Sequence, residues 1–195
     1  MSRIAILGGG SWGTALAIVL SRARRKHEIS VWVHDRVLAD SIRYDRENRS
    51  YLPGHRLDSN LSVTSEIGDA ISGARILIGA VPTAHARAVY AAAAGVPPRS
   101  IFLSAAKGLE PATHKRMSEV VFEVFSRKSA LRLAVLSGPS FAAEVARGEP
   151  TAVVVASHNA TLAAELQEEF AAPAWGHLSK DSNEATHPTR QKGAS

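Results

Sequence analysis

Short apolar runs alternate with helix-like stretches along most of the chain. The apolar runs have the composition of strands and cover residues 4–7, 29–33, 61–63, 76–81, 101–104, 133–136 and 152–156. Helices are expected between them, at residues 14–20, 35–48, 66–72, 84–94, 112–128 and 160–171. Strands that are apolar on both faces are typical of a parallel sheet covered on both sides. The pattern therefore predicts an α/β protein with a doubly wound, mostly parallel sheet and helices on both faces.

The composition changes after Pro173. Residues 176–195 contain no Ile, Val, Phe, Met or Tyr and a single Leu. Burial of so few apolar groups does not offset the entropy that is lost when a segment becomes ordered. We therefore expect one folded domain over residues 1–173 and a polar, disordered tail over residues 174–195.

Length and composition exclude several classes of protein and of functional site. The 195 residues suffice for one substantial core, and no apolar run approaches the roughly 18 residues of a membrane-spanning helix. The absence of cysteine excludes disulfides, thiolate catalysis and cysteine zinc sites, and no metal site is predicted. Because the N-terminus enters a predicted strand without a signal-like segment, we expect a cytoplasmic protein that does not engage a membrane.

The net charge of +5 has two interpretations. The basic residues are dispersed, apart from a cluster at residues 22–26 that lies where the first predicted helix should end. Cations at that position complement the negative end of the helix dipole, and this interpretation is favoured over nucleic-acid binding. The positive balance also favours association with an anionic, phosphate-bearing small molecule.

A glycine turn, residues 8–13, joins the first predicted strand to the first predicted helix. Gly8 permits a tight turn, Gly10 lets the backbone approach a pyrophosphate, and Gly13 lets the helix pack close to the strand. The N–H groups at the start of the helix would then point at the anion. The order of strand, glycine turn and helix favours a dinucleotide site over a merely structural turn.

The nature of the dinucleotide depends on residues at the end of the second predicted strand. An acid there commonly binds the ribose hydroxyls of NAD, and Asp35 is available for that role. His34 and Arg36 are instead suited to the 2′-phosphate of NADP. NADP is favoured because no acid occupies the strand end itself, whereas an exposed turn without a ligand is the plain structural alternative.

Two further segments follow predicted strands and carry polar groups. Lys107 follows the strand at 101–104, so its ammonium group would point into the crevice at the carboxyl edge of the sheet. Gly138 and Ser140 follow the strand at 133–136 and precede a predicted helix start. Ser140 is interpreted either as a helix N-cap or as part of an anion site formed with the neighbouring N–H groups.

Four ordered motifs together resemble bacterial NAD(P)-dependent glycerol-3-phosphate dehydrogenase. They lie at residues 8–17, 51–54, 107–110 and 137–152. The similarity covers about residues 3–172 and corresponds to the N-terminal, nucleotide-binding domain of that family. It implies a Rossmann-type fold and reversible hydride transfer between NAD(P)H and dihydroxyacetone phosphate, which gives sn-glycerol 3-phosphate for phospholipid synthesis.

The resemblance also implies roles for individual residues. The cofactor NADP or NAD would contact the glycine turn and several side chains, namely Gly8, Gly10, Ser11, Trp12, Gly13, His34, Arg36, Lys107 and Ala142. The phosphate-bearing substrate would contact Lys107, Gly138 and Ser140. Tyr51 is a weaker candidate for the cofactor pocket, because a loop aromatic before Pro-Gly also suits simple loop packing.

The chain departs from this family after residue 173. The family continues into a helical second domain that carries the catalytic lysine, whereas Lys180 and Lys192 lie in the polar tail. No catalytic residue is therefore assigned, and we expect cofactor binding with little or no turnover. The alternatives are a non-catalytic NAD(P)-binding module and one half of a split enzyme. Apolar surface left uncovered would also favour self-association, for instance as a homodimer.

Overall fold

The structure is a computed structural model that describes residues 1–125, 132–138, 140–171 and 175–179. Strands and helices alternate along these residues. The strands are β1 (Ser2–Leu7), β2 (His27–Trp32), β3 (Leu61–Thr64), β4 (Ile76–Gly79), β5 (Ile101–Ser104), β6 (Arg132–Ser137), β7 (Thr151–Ala156) and β8 (Trp175–Ser179). The helices are α1 (Ser11–Ser21), α2 (Arg36–Asp45), α3 (Ile67–Ile71), α4 (Thr83–Ala92), α5 (Met117–Phe125), α6 (Ala142–Arg147) and α7 (Ala160–Glu169).

The strands form one sheet in the order β3-β2-β1-β4-β5-β6-β7-β8. All neighbouring strands are parallel except β6 and β7, which are antiparallel. The antiparallel pair arises because the short helix α6 stays at the carboxyl edge of the sheet, so the chain returns along β7 in the opposite direction. The prediction of a doubly wound, mostly parallel α/β sheet of the Rossmann type is confirmed.

Two apolar clusters cover the two faces of the sheet. One cluster contains the buried side of α1 together with residues of α2, α6 and α7, and the other contains residues of α3, α4 and α5. Helix α1 is buried from Gly13 to Leu20 because it packs against both the sheet and α6. None of the helices in the described part of the chain has the length and apolar character needed to cross a bilayer.

The structure differs from the predicted tail at residues 175–179. These residues form β8, which pairs in parallel with β7. Strand β7 pairs with β6 along one edge. The N–H and C=O groups of its other edge are available to an extended segment, and β8 occupies that edge. Backbone hydrogen bonding to β7 therefore explains why residues 175–179 form a strand, although their low apolar content predicted a disordered segment. The remainder of the predicted tail, residues 180–195, lies outside the described residues, as do residues 172–174.

A polar network closes the amino edge of the sheet around Glu169 of α7. Its carboxylate is only 2% exposed and accepts a hydrogen bond from the hydroxyl of Ser2. Arg25 Nη1 and Arg75 Nη1 each donate to the same carboxylate at 3.2 Å. Strand β1, the segment after α1 and helix α7 are thereby joined. The basic cluster at residues 22–26 thus begins just past α1 and contributes ion pairs to α7.

Buried His27 makes the stability of this edge depend on pH. Its Nε2 lies 3.0 Å from the carbonyl oxygen of Glu169, and burial lowers the pKa of the ring below its ordinary value of 6.5. As the pH falls, His27 therefore takes up a proton more readily in the unfolded chain than in the folded chain. The free energy of unfolding is retained above about pH 6.5 and falls as the pH drops below that value.

We expect the free energy of unfolding to be lower at about pH 5 than at about pH 7.5, and the His27→Gln variant to lose less over this interval. Chemical denaturation at both pH values measures the difference. The amide of the variant keeps a donor for the Glu169 carbonyl without a titrating ring. Equal pH dependence in the two proteins would remove His27 from the explanation.

Candidate functional site

A cleft of about 870 Å³ lies at the carboxyl edge of the sheet, next to the point where strand order reverses between β1 and β4. Open α/β sheets bind ligands at this place. Of the residues selected from the sequence, the cleft is lined by Gly8, Gly10, Ser11, Trp12, His34, Tyr51, Lys107, Ser140 and Ala142. Three others, Gly13, Arg36 and Gly138, are not part of its lining.

The glycine turn leaves no room for side chains on its inner side. Gly8 has a φ of +124°, and a Cβ atom there would lie 2.8 Å from the carbonyl oxygen of Ala80. A Cβ atom on Gly13 would lie 1.9 Å from the carbonyl oxygen of Gly8, so α1 approaches β1 more closely than any side chain allows. The position of Gly13 is therefore structural, beneath the cleft.

Gly10 faces open space instead. No atom lies within 4 Å of the position that its Cβ would take, and Gly10 lines the cleft directly before α1. No side chain caps the start of α1, so its first N–H groups are available to an anion. The turn therefore offers a concave surface of main-chain donors that fits a diphosphate.

Asn48 supports the glycine turn from behind, and the sequence analysis did not select it. This residue is fully buried, and its Nδ2 donates to the carbonyl oxygen of Gly9 and to Thr14 Oγ1, both at 2.8 Å. Its Oδ1 accepts from the N–H of Tyr51 at 3.2 Å, which holds the loop that carries this aromatic ring against the cleft. A single polar residue in a loop gives no periodic signal, so the sequence does not indicate its role.

Lys107 and Trp12 meet across the cleft. The indole N–H of Trp12 donates to the carbonyl oxygen of Ala105 at 3.0 Å. Lys107 Nζ lies 5.2 Å from the centre of the Trp12 ring system and donates to the carbonyl oxygen of Ser140 at 2.9 Å. A cation held over an aromatic face in this way is attracted by the negative face of the ring. The ammonium group is thus placed between the glycine turn and the segment that follows β6.

The structure corrects the interpretation of Ser140 as a helix N-cap. Helix α6 begins at Ala142, Phe141 occupies the N-cap position, and no side chain caps the helix. Ser140 lies one residue earlier, where its hydroxyl is 3.4 Å from Lys107 Nζ and its carbonyl oxygen accepts from the same ammonium group.

Gly138 is placed by packing against β7. It has a φ of +149°, and a Cβ atom there would lie 2.5 Å from the carbonyl oxygen of Ala152. This close approach lets the chain leave β6 beside its antiparallel neighbour. A role in substrate binding remains a prediction for Gly138.

The three residues selected just after β2 have different environments in the structure. His34 and Asp35 line the cleft, and the Asp35 carboxylate accepts from the N–H of Leu38 at 2.9 Å as the N-cap of α2. Arg36 is exposed at the first position of α2 and forms no ion pair within the described residues. Asp35 is therefore engaged in helix capping, while His34 and Arg36 stay accessible.

The cleft also contains residues that the sequence analysis did not select. Pro82 and His85 line it from the start of α4, and Phe141, which is 72% exposed, lines it from the segment before α6. The first two lie between the end of β4 and the first turn of α4, so the rule that ligands bind beyond strand carboxyl ends would have indicated them. Among the described residues, no cluster of three or more His, Asp or Glu side chains is arranged to hold a metal ion.

An ion pair lies behind the Lys107 segment. Arg87 of α4 donates from Nε and Nη2 to the two carboxylate oxygens of Glu110, both at 2.8 Å. The hydrogen bonds from Arg87 and then from Thr113 lower the pKa of Glu110 from 4.5 to about 2. Glu110 is therefore ionised throughout the physiological range and keeps both bonds to Arg87.

The sequence model of a protein family, described as the NAD-dependent glycerol-3-phosphate dehydrogenase N-terminus, matches residues 3–163 of this chain. The chain belongs to this family. It is similar to the glycerol-3-phosphate dehydrogenase [NAD(P)+] of Acidobacterium capsulatum, with 47% identity over 175 residues that cover 87% of this chain and 52% of the relative. The corresponding enzyme of Koribacter versatilis is 42% identical over 176 residues, 89% of this chain and 51% of the relative. The chain thus spans about half the length of these curated relatives.

Solved structures show the same fold. The glycerol-3-phosphate dehydrogenase of Coxiella burnetii superposes with a TM-score of 0.79 at 29% identity, covering 92% of this chain and 52% of that one. The Plasmodium falciparum glycerol-3-phosphate dehydrogenase gives a TM-score of 0.81 at 23% identity, over 93% and 53% of the two chains, and supports the fold alone. The NAD(P) cofactor of the family fits the open face of Gly10 and the uncapped start of α1.

Proposed function

We propose that this chain binds NADP or NAD in the cleft and serves reversible hydride transfer between NAD(P)H and dihydroxyacetone phosphate. The bound nicotinamide would supply or accept the hydride. The main-chain N–H groups of residues 8–13 would bind the diphosphate, as the uncapped α1 allows. The reaction would give sn-glycerol 3-phosphate.

The observation that carries this proposal is the position of Lys107. Its ammonium group lies 5.2 Å from the Trp12 ring and 2.9 Å from the Ser140 carbonyl oxygen, within a cleft that the glycine turn also lines. A cation at this place suits an anionic phosphate or a polarised carbonyl oxygen. We therefore assign substrate binding to Lys107 and Ser140, with Gly138 as a further candidate, and cofactor contacts to Ser11, Trp12 and Ala142. No general acid or base is assigned within this chain.

The residues that follow β2 favour NADP over NAD as the cofactor. The Asp35 carboxylate accepts the Leu38 N–H at 2.9 Å through Oδ1 and is held in place as the N-cap of α2. His34 lines the cleft, and Arg36 is an exposed cation one residue beyond Asp35. We propose that His34 and Arg36 contact the 2′-phosphate of NADP.

A second candidate is a non-catalytic NAD(P)-binding module or one half of a split enzyme. In either form the chain would bind the cofactor. A split enzyme would turn over only with residues from another polypeptide, and a module would not turn over. The two candidates therefore differ in activity and agree on binding.

Titration of NADPH or NADH fluorescence against the purified chain tests cofactor binding, and reduction of dihydroxyacetone phosphate tests turnover. We expect saturable binding, tighter for NADPH, and turnover by the chain itself would support the first candidate. Turnover restored by the remaining half of the Acidobacterium capsulatum relative would support the split enzyme, and binding without such rescue would support the non-catalytic module. Absence of binding by either coenzyme would overturn the proposal.

We further propose a cytoplasmic location and self-association as a homodimer. Phe122 and Phe141 are 69% and 72% exposed, so two aromatic rings are available for an apolar contact. Nucleic acid and membranes are not proposed as partners. A single monomeric peak in size-exclusion chromatography across a wide concentration range would contradict the homodimer.

A further inference from the structure

The Arg87–Glu110 ion pair joins two elements that form one wall of the cleft. Arg87 lies on α4, which lines the cleft with His85 and with its N-cap Pro82, and Glu110 ends the segment that carries Lys107. The Glu110 side chain is only 7% exposed. Two parallel bonds between a guanidinium fork and a carboxylate fix both distance and orientation.

The ion pair holds one end of a short segment around Lys107. Glu110 is held further by its own backbone, because its N–H donates to the carbonyl oxygen of Lys115 at 2.9 Å and its carbonyl oxygen accepts from the N–H of His114 at 2.8 Å. Gly108, between Lys107 and Glu110, has a φ of +106°, a conformation that favours glycine. The path from Glu110 back to Lys107 is therefore a constrained turn.

The other end of the segment is held at Ala105. Its N–H donates to the carbonyl oxygen of Gly79 at 2.9 Å, and its carbonyl oxygen accepts from Trp12 at 3.0 Å. Lys107 thus lies between two anchors, one on the sheet and the other on α4. Only the second anchor depends on side-chain ion pairs, and Arg87 Nη2 also lies 2.9 Å from Glu123 Oε2 of α5.

We propose that Arg87 and Glu110 are positioning residues that hold the Lys107 ammonium group in the cleft at the place where it meets the cofactor and the substrate phosphate. Neither residue lines the cleft, so both act through Lys107 and not by contact with a ligand. The inference rests on the proposed function, because the position of Lys107 matters only if a ligand binds beside it. A purely structural ion pair would stabilise the domain without this specific link.

A double-mutant cycle on coenzyme affinity separates the two roles. The cycle compares Arg87→Gln, Lys107→Gln and the double variant by fluorescence titration with NADPH. We expect Arg87→Gln to weaken binding severalfold and by no more than Lys107→Gln does, because Arg87 would act only through the position of Lys107. If Arg87 acts through Lys107, the double variant binds as weakly as Lys107→Gln alone. Independent, multiplying effects would overturn the proposal.

Arg132→Gln is the matched control. Arg132 also bonds to a carboxylate, Glu165 Oε2, at 2.8 Å, and its side chain is 39% exposed where that of Arg87 is 38% exposed. It lies at the start of β6, away from the cleft lining. We expect this variant to bind NADPH like the parent chain. An equal loss of affinity in both arginine variants would show a general effect of lost stability and would overturn the proposal.

Amine acetylation, read by peptide mass spectrometry without any coenzyme, tests the position of Lys107 directly. We expect Arg87→Gln to raise the rate at Lys107 and to leave the rate at exposed Lys26 unchanged, because only the former loses its anchored bond to Ser140. An unchanged rate at Lys107 would overturn the proposal. If the parent chain binds no coenzyme, the proposed function fails and this measurement still decides the positioning.

Arg87→Lys keeps the result interpretable if Arg87→Gln does not fold. Lysine retains the charge but cannot form two parallel bonds to a carboxylate. We expect coenzyme affinity and the acetylation rate at Lys107 to lie between those of the parent chain and of a chain without the ion pair. Parent-like values for both measurements would show that the bidentate geometry has no part in positioning.

Discussion

Replacement of Gly13 by alanine is expected to lower the free energy of unfolding by about 3 kcal/mol or more. The added methyl group would lie 1.9 Å from the Gly8 carbonyl oxygen, which is backbone and has no rotamer by which to move away. Helix α1 would have to shift from β1, and the core that it buries from Gly13 to Leu20 would loosen. Thermal or urea denaturation followed by circular dichroism measures the loss.

Gly68→Ala is the matched control for this substitution. Gly68 also lies in a helix, α3, and no atom lies within 4 Å of the position that its Cβ would take. Alanine has a higher helix propensity than glycine, so the control should be neutral or gain up to about 1 kcal/mol. A Gly13→Ala protein as stable as this control would show that α1 does not depend on its close approach to β1.

Replacement of Gly10 by alanine is expected to weaken coenzyme binding by about tenfold or more, which corresponds to about 1.4 kcal/mol. Its φ of −75° suits alanine, and no atom of the chain lies within 4 Å of the new methyl group, so the fold should be unaffected. The methyl group would instead occupy the face of the turn that a diphosphate approaches. Fluorescence titration with NADPH measures the effect.

The two glycine variants differ in which property they change. Gly13→Ala should lose stability first, whereas Gly10→Ala should keep the stability of the parent chain and lose affinity. Unchanged affinity in a folded Gly10→Ala protein would place the diphosphate elsewhere, and a large loss of stability would mean that Gly10 has a structural role. Denaturation and titration of the same preparations distinguish these outcomes.

The main features of the fold were predictable because they depend on local pattern. Each apolar run that was predicted as a strand forms one, and the glycine turn lies between β1 and α1 as its order in the chain indicated. Parallel strands joined by helical crossovers have their carboxyl ends at one edge, so Lys107 was expected in the crevice at that edge. The cleft follows from these two facts.

The features that were not predicted depend on partners distant in sequence. Strand β8 is ordered by the free edge of β7, and Asn48 gains its role only when it lies against Gly9 and Thr14. The pairing of Arg87 with Glu110 joins residues 23 positions apart. Each of these contacts joins segments that are distant in the chain through hydrogen bonds, and such contacts leave no periodic trace in a sequence.

The network around Glu169 has a consequence for synthesis on the ribosome. Ser2 and Glu169 are 167 positions apart, so the first strand emerges long before the carboxylate that completes its edge. Until α7 has left the exit tunnel, Arg25 and Arg75 lack this buried carboxylate, and closing so long a loop is slow relative to local helix formation. The nascent chain should therefore reach full resistance to proteases late in translation, only after its seventh helix has emerged.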